Sequence, residues 1–229
     1  SINDPLTSHY ANSEGTLKVL LNAKNCGVKR VIFASSSSVY GNTPTLPKVE
    51  TMEISPLSPY AATKAAGEHY CQVFARIYSL ETVILRYFNV FGPRQDEKSQ
   101  YSGFIPKFIS LLIKDEQPII FGDGEQTRDF NYVSNVVLAN ILASEAPDIS
   151  GKIFNVACNK RISLNQLVFY LNKFLNKNIA PKYAEPRIGD VRDSLADITR
   201  AKEGFGYSPI VDVEPGLELL VKWFLNKEK

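Results

Sequence analysis

Tyr60 and Lys64 stand four residues apart at the start of SPYAATKAAGE, a stretch of helical composition. On a helix that spacing puts both side chains on one face. A phenol is ordinarily a poor base at neutral pH. A neighbouring ammonium favours the phenolate, and the positive end of a helix N-terminus acts in the same sense. The pair could therefore move a proton. A second cluster, Ser35, Ser36, Ser37 and Ser38, follows directly on the apolar VKRVIFA. Its hydroxyls could bond a substrate hydroxyl or the carbonyl oxygen that forms from it. Alone, a tyrosine and a lysine four apart are explained by the surface of an ordinary helix. The serine run after a buried-type strand, followed by SPYAATK, is what favours chemistry.

The elements that must hold these residues can be read from periodicity. Leu17, Leu20 and Leu21 recur on one face of a helix over about 13–26, with Gly27 as its stop. Val31, Ile32 and Phe33 form a continuous apolar run, which suits a strand covered on both faces. A helix over about 58–78 has Ser58 at its N-cap and Pro59 at its first position. TVILRYF is a second buried strand and KIFNVA a third. Further helices are expected near 105–113, 134–144, 164–175 and 214–225, with a short piece around 197–203 and short strand-like pieces at 118–121 and 128–130. Strands alternating with helices, without repeats, predict an α/β fold. The less regular segments, 90–130 and 177 onward, look like a smaller lobe beside the sheet.

At 229 residues the chain is one large domain or about one and a half ordinary ones. It has 26 Lys plus Arg against 24 Asp plus Glu, a formal net charge of +2, so there is no basic footprint for nucleic acid or an anionic membrane. Cys26, Cys71 and Cys158 lie far apart, which suits a reducing compartment better than a disulfide framework. No apolar run approaches the roughly 18 residues that span a bilayer, and no signal peptide is visible. The chain opens SINDPL, and its one methionine is Met52.

Several longer segments carry a resemblance. VKRVIFASSSSVYG at 28–41, LPKVE at 46–50, SPYAATKAAGE at 58–68, LRYFNVFGPRQ at 85–95, GDGEQTRDFNYV at 122–133, FNVA at 154–157, EPRIGDVRDSLADI at 185–198 and GYSP at 206–209 occur in the order and spacing of one family. The chain resembles the extended short-chain dehydrogenase/reductases, and within them the NAD-dependent nucleotide-sugar epimerases. The resemblance implies a Rossmann-like, doubly wound parallel sheet with a smaller C-terminal substrate-binding lobe. Residues 1–90 would be the C-terminal part of the NAD-binding domain. Residues 91–229 would be mainly the lobe, with 131–158 returning to the Rossmann domain.

The same resemblance implies a site. Ser36, Tyr60 and Lys64 would be catalytic; Tyr60, Lys64 and Tyr87 would meet NAD. Ser37, Asn89, Arg128, Arg187, Asp190 and Ser194 would meet the nucleotide sugar, and no metal is expected. The alternative for Tyr87 is core packing, and for Arg128 an ion pair with Asp129 or Asp123. Arginine forks suit a diphosphate. A small residue at position 194 implies room for an N-acetyl group, hence UDP-GlcNAc/UDP-GalNAc and also UDP-Glc/UDP-Gal. The implied reaction is 4-epimerisation through a transient 4-keto sugar, in a cytoplasmic homodimer. Serine at 36–38 lacks the acids expected of a dehydratase or decarboxylase. A UDP-uronate 4-epimerase, or an inactive non-enzymatic fragment, stays open. In the family SINDPL falls after the fourth strand of the cofactor domain. The glycine-rich loop that holds the pyrophosphate is therefore expected to lie outside these 229 residues.

Overall fold

The computed structural model describes residues 1–95, 103–186 and 191–227. Asp4 accepts the Thr7 N–H at 3.0 Å and Pro5 fills the first turn, which opens α1 (Pro5–Ser8). A π-helical segment, His9–Glu14, continues into α2 (Gly15–Asn25). The helix expected from Ser13 therefore begins earlier, because Asp4 caps it. β1 (Arg30–Ser36) runs into a 3-10 turn, Ser37–Tyr40. In α3 (Pro59–Ile77) the Ser58 hydroxyl accepts the Ala61 N–H at 3.2 Å, the cap expected from the sequence. β2 (Glu81–Tyr87) and β3 (Val90–Phe91) follow. Next come α4 (Phe104–Ile113), β4 (Ile119–Phe121), β5 (Thr127–Arg128), β6 (Asn131–Tyr132) and α5 (Val133–Glu145). The chain ends with β7 (Ile153–Val156), β8 (Ile162–Ser163), α6 (Leu164–Leu175), β9 (Lys182–Ala184), α7 (Thr199–Phe205) and α8 (Val213–Lys227).

β1, β2 and β7 form a parallel sheet in that order, with β2 in the middle. Alternation along β2 sorts its side chains between two faces. Ile84 joins Leu20, Ala23, Cys71 and Phe74 of α2 and α3. Val83 and Leu85 join Val136 and Ala139 of α5 and Ala201 and Phe205 of α7. Helices thus cover both faces, the doubly wound Rossmann-like arrangement. A separate cluster of α4, α6 and α8, with Phe91, Phe130 and Tyr132, forms the core of the smaller lobe. Residues after 158 also return to the sheet. Gly204 of α7 lets Phe154 approach so closely that a Cβ there would lie 2.7 Å from the ring. Two-residue pairings, β3 with β6 and β5 with β8, stitch the lobe to the end of the sheet.

Candidate active site

The end of β1 sorts the serine run by direction. Ser35 is buried and its hydroxyl donates to Glu68 at 2.5 Å. Glu68, on α3, also holds Arg86 of β2 through two parallel hydrogen bonds of 2.8 and 2.7 Å. Both partners are 2% exposed, so this charge pair is fully desolvated. Burial alone would lower the Arg86 guanidinium, but its hydrogen bonds to the Glu68 carboxylate outweigh that and hold the group above its ordinary range. Ser36, the last residue of β1, points elsewhere. Its hydroxyl caps the 3-10 turn by accepting from Ser38 N–H at 3.2 Å and from Ser38 Oγ at 2.9 Å. The turn closes at Gly41, where φ is +63° and a Cβ would lie 2.0 Å from the Ser55 carbonyl oxygen. Only glycine fits there.

α3 brings the tyrosine and lysine to the same strand end. Gly67 permits the close approach, since a Cβ there would meet the Phe33 ring at 2.3 Å. Lys64 Nζ donates to the Ala34 carbonyl at 3.0 Å. It lies 5.3 Å from the Phe33 ring centroid and 5.7 Å from that of Tyr60. Burial lowers the Lys64 ammonium from its ordinary value. Among the described residues its other two N–H bonds meet no acceptor. Unused donors beside a cleft lined by Asn12, Val31 and Phe33 suit a hydroxylated ligand such as a ribose.

A cavity of about 530 Å³ joins these groups to the lobe. Ser36, Ser37, Tyr60, Tyr87, Asn89, Arg128 and Ser194 all line it. Lys64 sits behind Tyr60 and lines the neighbouring cleft instead. Arg187 and Asp190 lie outside the described residues. Tyr87 is half-buried, and its hydroxyl bonds Asn140 at 3.0 Å. Asn89 Nδ2 donates to the Asp129 carbonyl at 3.0 Å and reaches Ser194 Oγ at 3.5 Å. Arg128 does not pair with Asp123 or Asp129. Its Nη1 donates to the carbonyls of Thr127 and Arg192 at 2.9 Å each, while Asp123 takes Arg192.

Three supports escaped the sequence reading. Asp129 is fully buried and accepts backbone N–H groups of Cys158 at 2.9 Å and Ala196 at 3.2 Å. It thereby pins the strap carrying Ser194 to the end of β7. Burial pushes its carboxyl up to about 7, against the pull of those donors. Lys48, 3% exposed, donates to Thr43 and Thr45, while its backbone pairs with Leu195 and Asp197. Glu68 is the third, and its signal was available: it lies four residues after Lys64 on the same helix face. Nothing local marks Asp129, whose partners Cys158 and Ala196 are distant in sequence; the Lys48 side chain turns to nearby Thr43 and Thr45, and only its backbone partners are distant.

These groups can bind hydroxyls and an anion and move a proton between oxygens. Thiol chemistry has no support here, because burial pushes Cys71 and Cys158 up to about 12. No group of three or more candidate metal ligands occurs among the described residues. No helix among them is long and apolar enough to cross a membrane.

Residues 1–157 match the model of the NAD dependent epimerase/dehydratase family. UDP-glucose 4-epimerase of Mycolicibacterium smegmatis is 36% identical over 230 residues, covering 100% of this chain and 73% of the relative. The structure of UDP-N-acetylglucosamine 4-epimerase from Methanobrevibacter ruminantium with UDP-N-acetylmuramic acid superposes with a TM-score of 0.95 at 44% identity. That match covers 99% of this chain and 73% of the other. UDP-glucose 4-epimerase of Thermotoga maritima, solved with UDP-glucose, gives a TM-score of 0.95 at 38% identity, covering 100% and 74%.

Proposed function

This chain belongs to the NAD dependent epimerase/dehydratase family, and from that premise we propose that it performs the proton transfer and sugar-nucleotide recognition of a UDP-sugar 4-epimerase. The observation that carries this reading is one cavity lined by Ser36, Tyr60 and Ser194, with Lys64 against the back of Tyr60. Tyr60 takes the proton of the sugar 4-hydroxyl, with Ser36 bonding the same oxygen. NAD would supply the acceptor and donor for the C4 hydride. Tyr60, Lys64 and Tyr87 are the residues here that would hold its nicotinamide half, Lys64 through its two unused donors. The 4-keto sugar turns over in the cavity, and Tyr60 returns the proton to give the inverted alcohol.

Asn89, Arg128 and Ser37 are assigned to the nucleotide sugar, as are Arg187 and Asp190. Small Ser194 supports N-acetylated sugars, UDP-GlcNAc/UDP-GalNAc, alongside UDP-Glc/UDP-Gal; the M. ruminantium relative was solved with an N-acetylated UDP-sugar. We assign residues up to about 90 to the NAD-binding domain and most of the rest to sugar-nucleotide binding. Exposed Leu21, Val73 and Ile77 on α2 and α3 support a homodimer. Three free cysteines suit a cytoplasmic enzyme.

The test is Tyr60→Phe in the full-length protein with NAD. Interconversion of UDP-GlcNAc and UDP-GalNAc should fall by at least about 100-fold, with the melting temperature unchanged. Turnover close to wild type would overturn the assigned role.

A further inference from the structure

Four identical serines in a row leave open which hydroxyl does what, and hydrogen-bond accounting separates them. Ser35 is committed to Glu68 on the buried side. Ser37 Oγ makes no hydrogen bond among the described residues. Ser36 Oγ accepts twice, and both donors belong to Ser38: its backbone N–H at 3.2 Å and its hydroxyl at 2.9 Å. A hydroxyl oxygen offers two lone pairs and one proton. Both lone pairs of Ser36 are taken, so what remains is its proton, and Ser36 lines the cavity it shares with Tyr60.

We propose that Ser38 is a positioning residue for proton transfer at this site. By filling both acceptor positions of Ser36, it fixes Ser36 as a donor directed into the cavity. The identity of the receiving oxygen, the sugar O4 or the carbonyl formed from it, rests on the 4-epimerase reading; the hydrogen bonds do not. A donor already aimed at the reacting oxygen needs no reorientation as charge develops there. Without the Ser38 hydroxyl one lone pair is released. Ser36 can then accept from water or substrate, and its proton is no longer confined to one direction. The backbone N–H of Ser38 is present in every variant, so the cap of the 3-10 turn survives the loss of the hydroxyl.

Ser38→Ala and Ser38→Thr in the full-length protein with NAD test this. Ser38→Ala should lower kcat for UDP-GlcNAc about tenfold, one hydrogen bond's worth in the transition state. KM should stay within about twofold. Ser38→Thr restores the donor and should recover most of the rate. A wild-type kcat in Ser38→Ala, or an equal loss in Ser38→Thr, overturns the proposal. Neutron diffraction on the deuterium-exchanged protein judges the hydrogen bonds without turnover. The expected map has the Ser38 deuteron on the line to Ser36 Oγ and the Ser36 deuteron in the cavity. A Ser36 deuteron directed at Ser38 Oγ also overturns it. Failure of the wild-type protein to epimerise any UDP-hexose would remove the proposed activity, while the neutron map would still decide the role of Ser38.

Discussion

Ser194 shares the cavity wall with Asn89, its hydroxyl 3.5 Å from the amide nitrogen. Its backbone N–H is fixed by the Thr127 carbonyl at 3.1 Å. On the proposed assignment, position 194 would set how much room the sugar has, because the strap cannot simply retreat from a larger side chain. Ser194→Tyr should reduce kcat/KM for UDP-GlcNAc at least about tenfold more than for UDP-Glc, the size of a steric misfit of about 1.4 kcal/mol. Equal losses on both sugars would remove the size argument. Asp129, which holds the same strap, gives a pH signature. Its ordinary value is 3.8 and burial raises it to about 7, so folding takes up a proton between those limits. The stability this carboxyl contributes is complete below about pH 4 and is lost as pH rises through about 7. In Asp129→Asn the fall in unfolding free energy between pH 4 and 7 should become shallower, as followed by urea titration. The sequence alone identified the serine run, Tyr60 and Lys64, but could not separate identical neighbours. What separates them is the change from extended backbone at Ser36 to a 3-10 turn at Ser37, which turns successive hydroxyls in different directions.

Among the elements, α3 carries the site and is also its anchor. Glu68 ties it to β1 through Ser35 and to β2 through Arg86, all inside the fold. Removing one charge of a desolvated pair leaves the other stranded, at a cost of about 3–5 kcal/mol. Arg86 has no slack, since among the described residues its buried Nη1 has no hydrogen-bond partner. Glu68→Gln should lower unfolding stability by about that amount in urea titration. The double variant Glu68→Leu with Arg86→Leu should lose less than Glu68→Gln alone, because it strands no charge. Elements with strong periodicity and a cap were legible: α3 from Ser58-Pro59, and α6, whose capping box joins Ser163 and Gln166. Of the two-residue strands β3, β5, β6 and β8, only β5 touches an expected piece, 128–130, at Arg128; the others are too short for alternation to show. Their pairings depend on chain segments brought together from up to 41 residues apart, as Val90 is with Asn131.

At the scale of the molecule, the sheet core and the lobe core meet where β1 and β2 end, and the cavity lies at that junction. The fold class was legible because alternating strands and helices leave few arrangements that bury both faces of a parallel sheet. The strap from 191 to 197 was not, since the backbone of Lys48 and the carboxylate of Asp129 hold it from far along the chain. β1 lies at one end of the strand order, paired with β2 along one side. Its amides face alternately toward β2 and away from it. In hydrogen–deuterium exchange this strand should read as two interleaved sets. The amides donated to β2 should be protected by several kcal/mol more than those facing outward, with the difference alternating residue by residue up to Ser36. Anything that lies along the outer side of β1 would erase that alternation. The strand that ends in Ser36 thus carries its own spectroscopic record of what stands beside it.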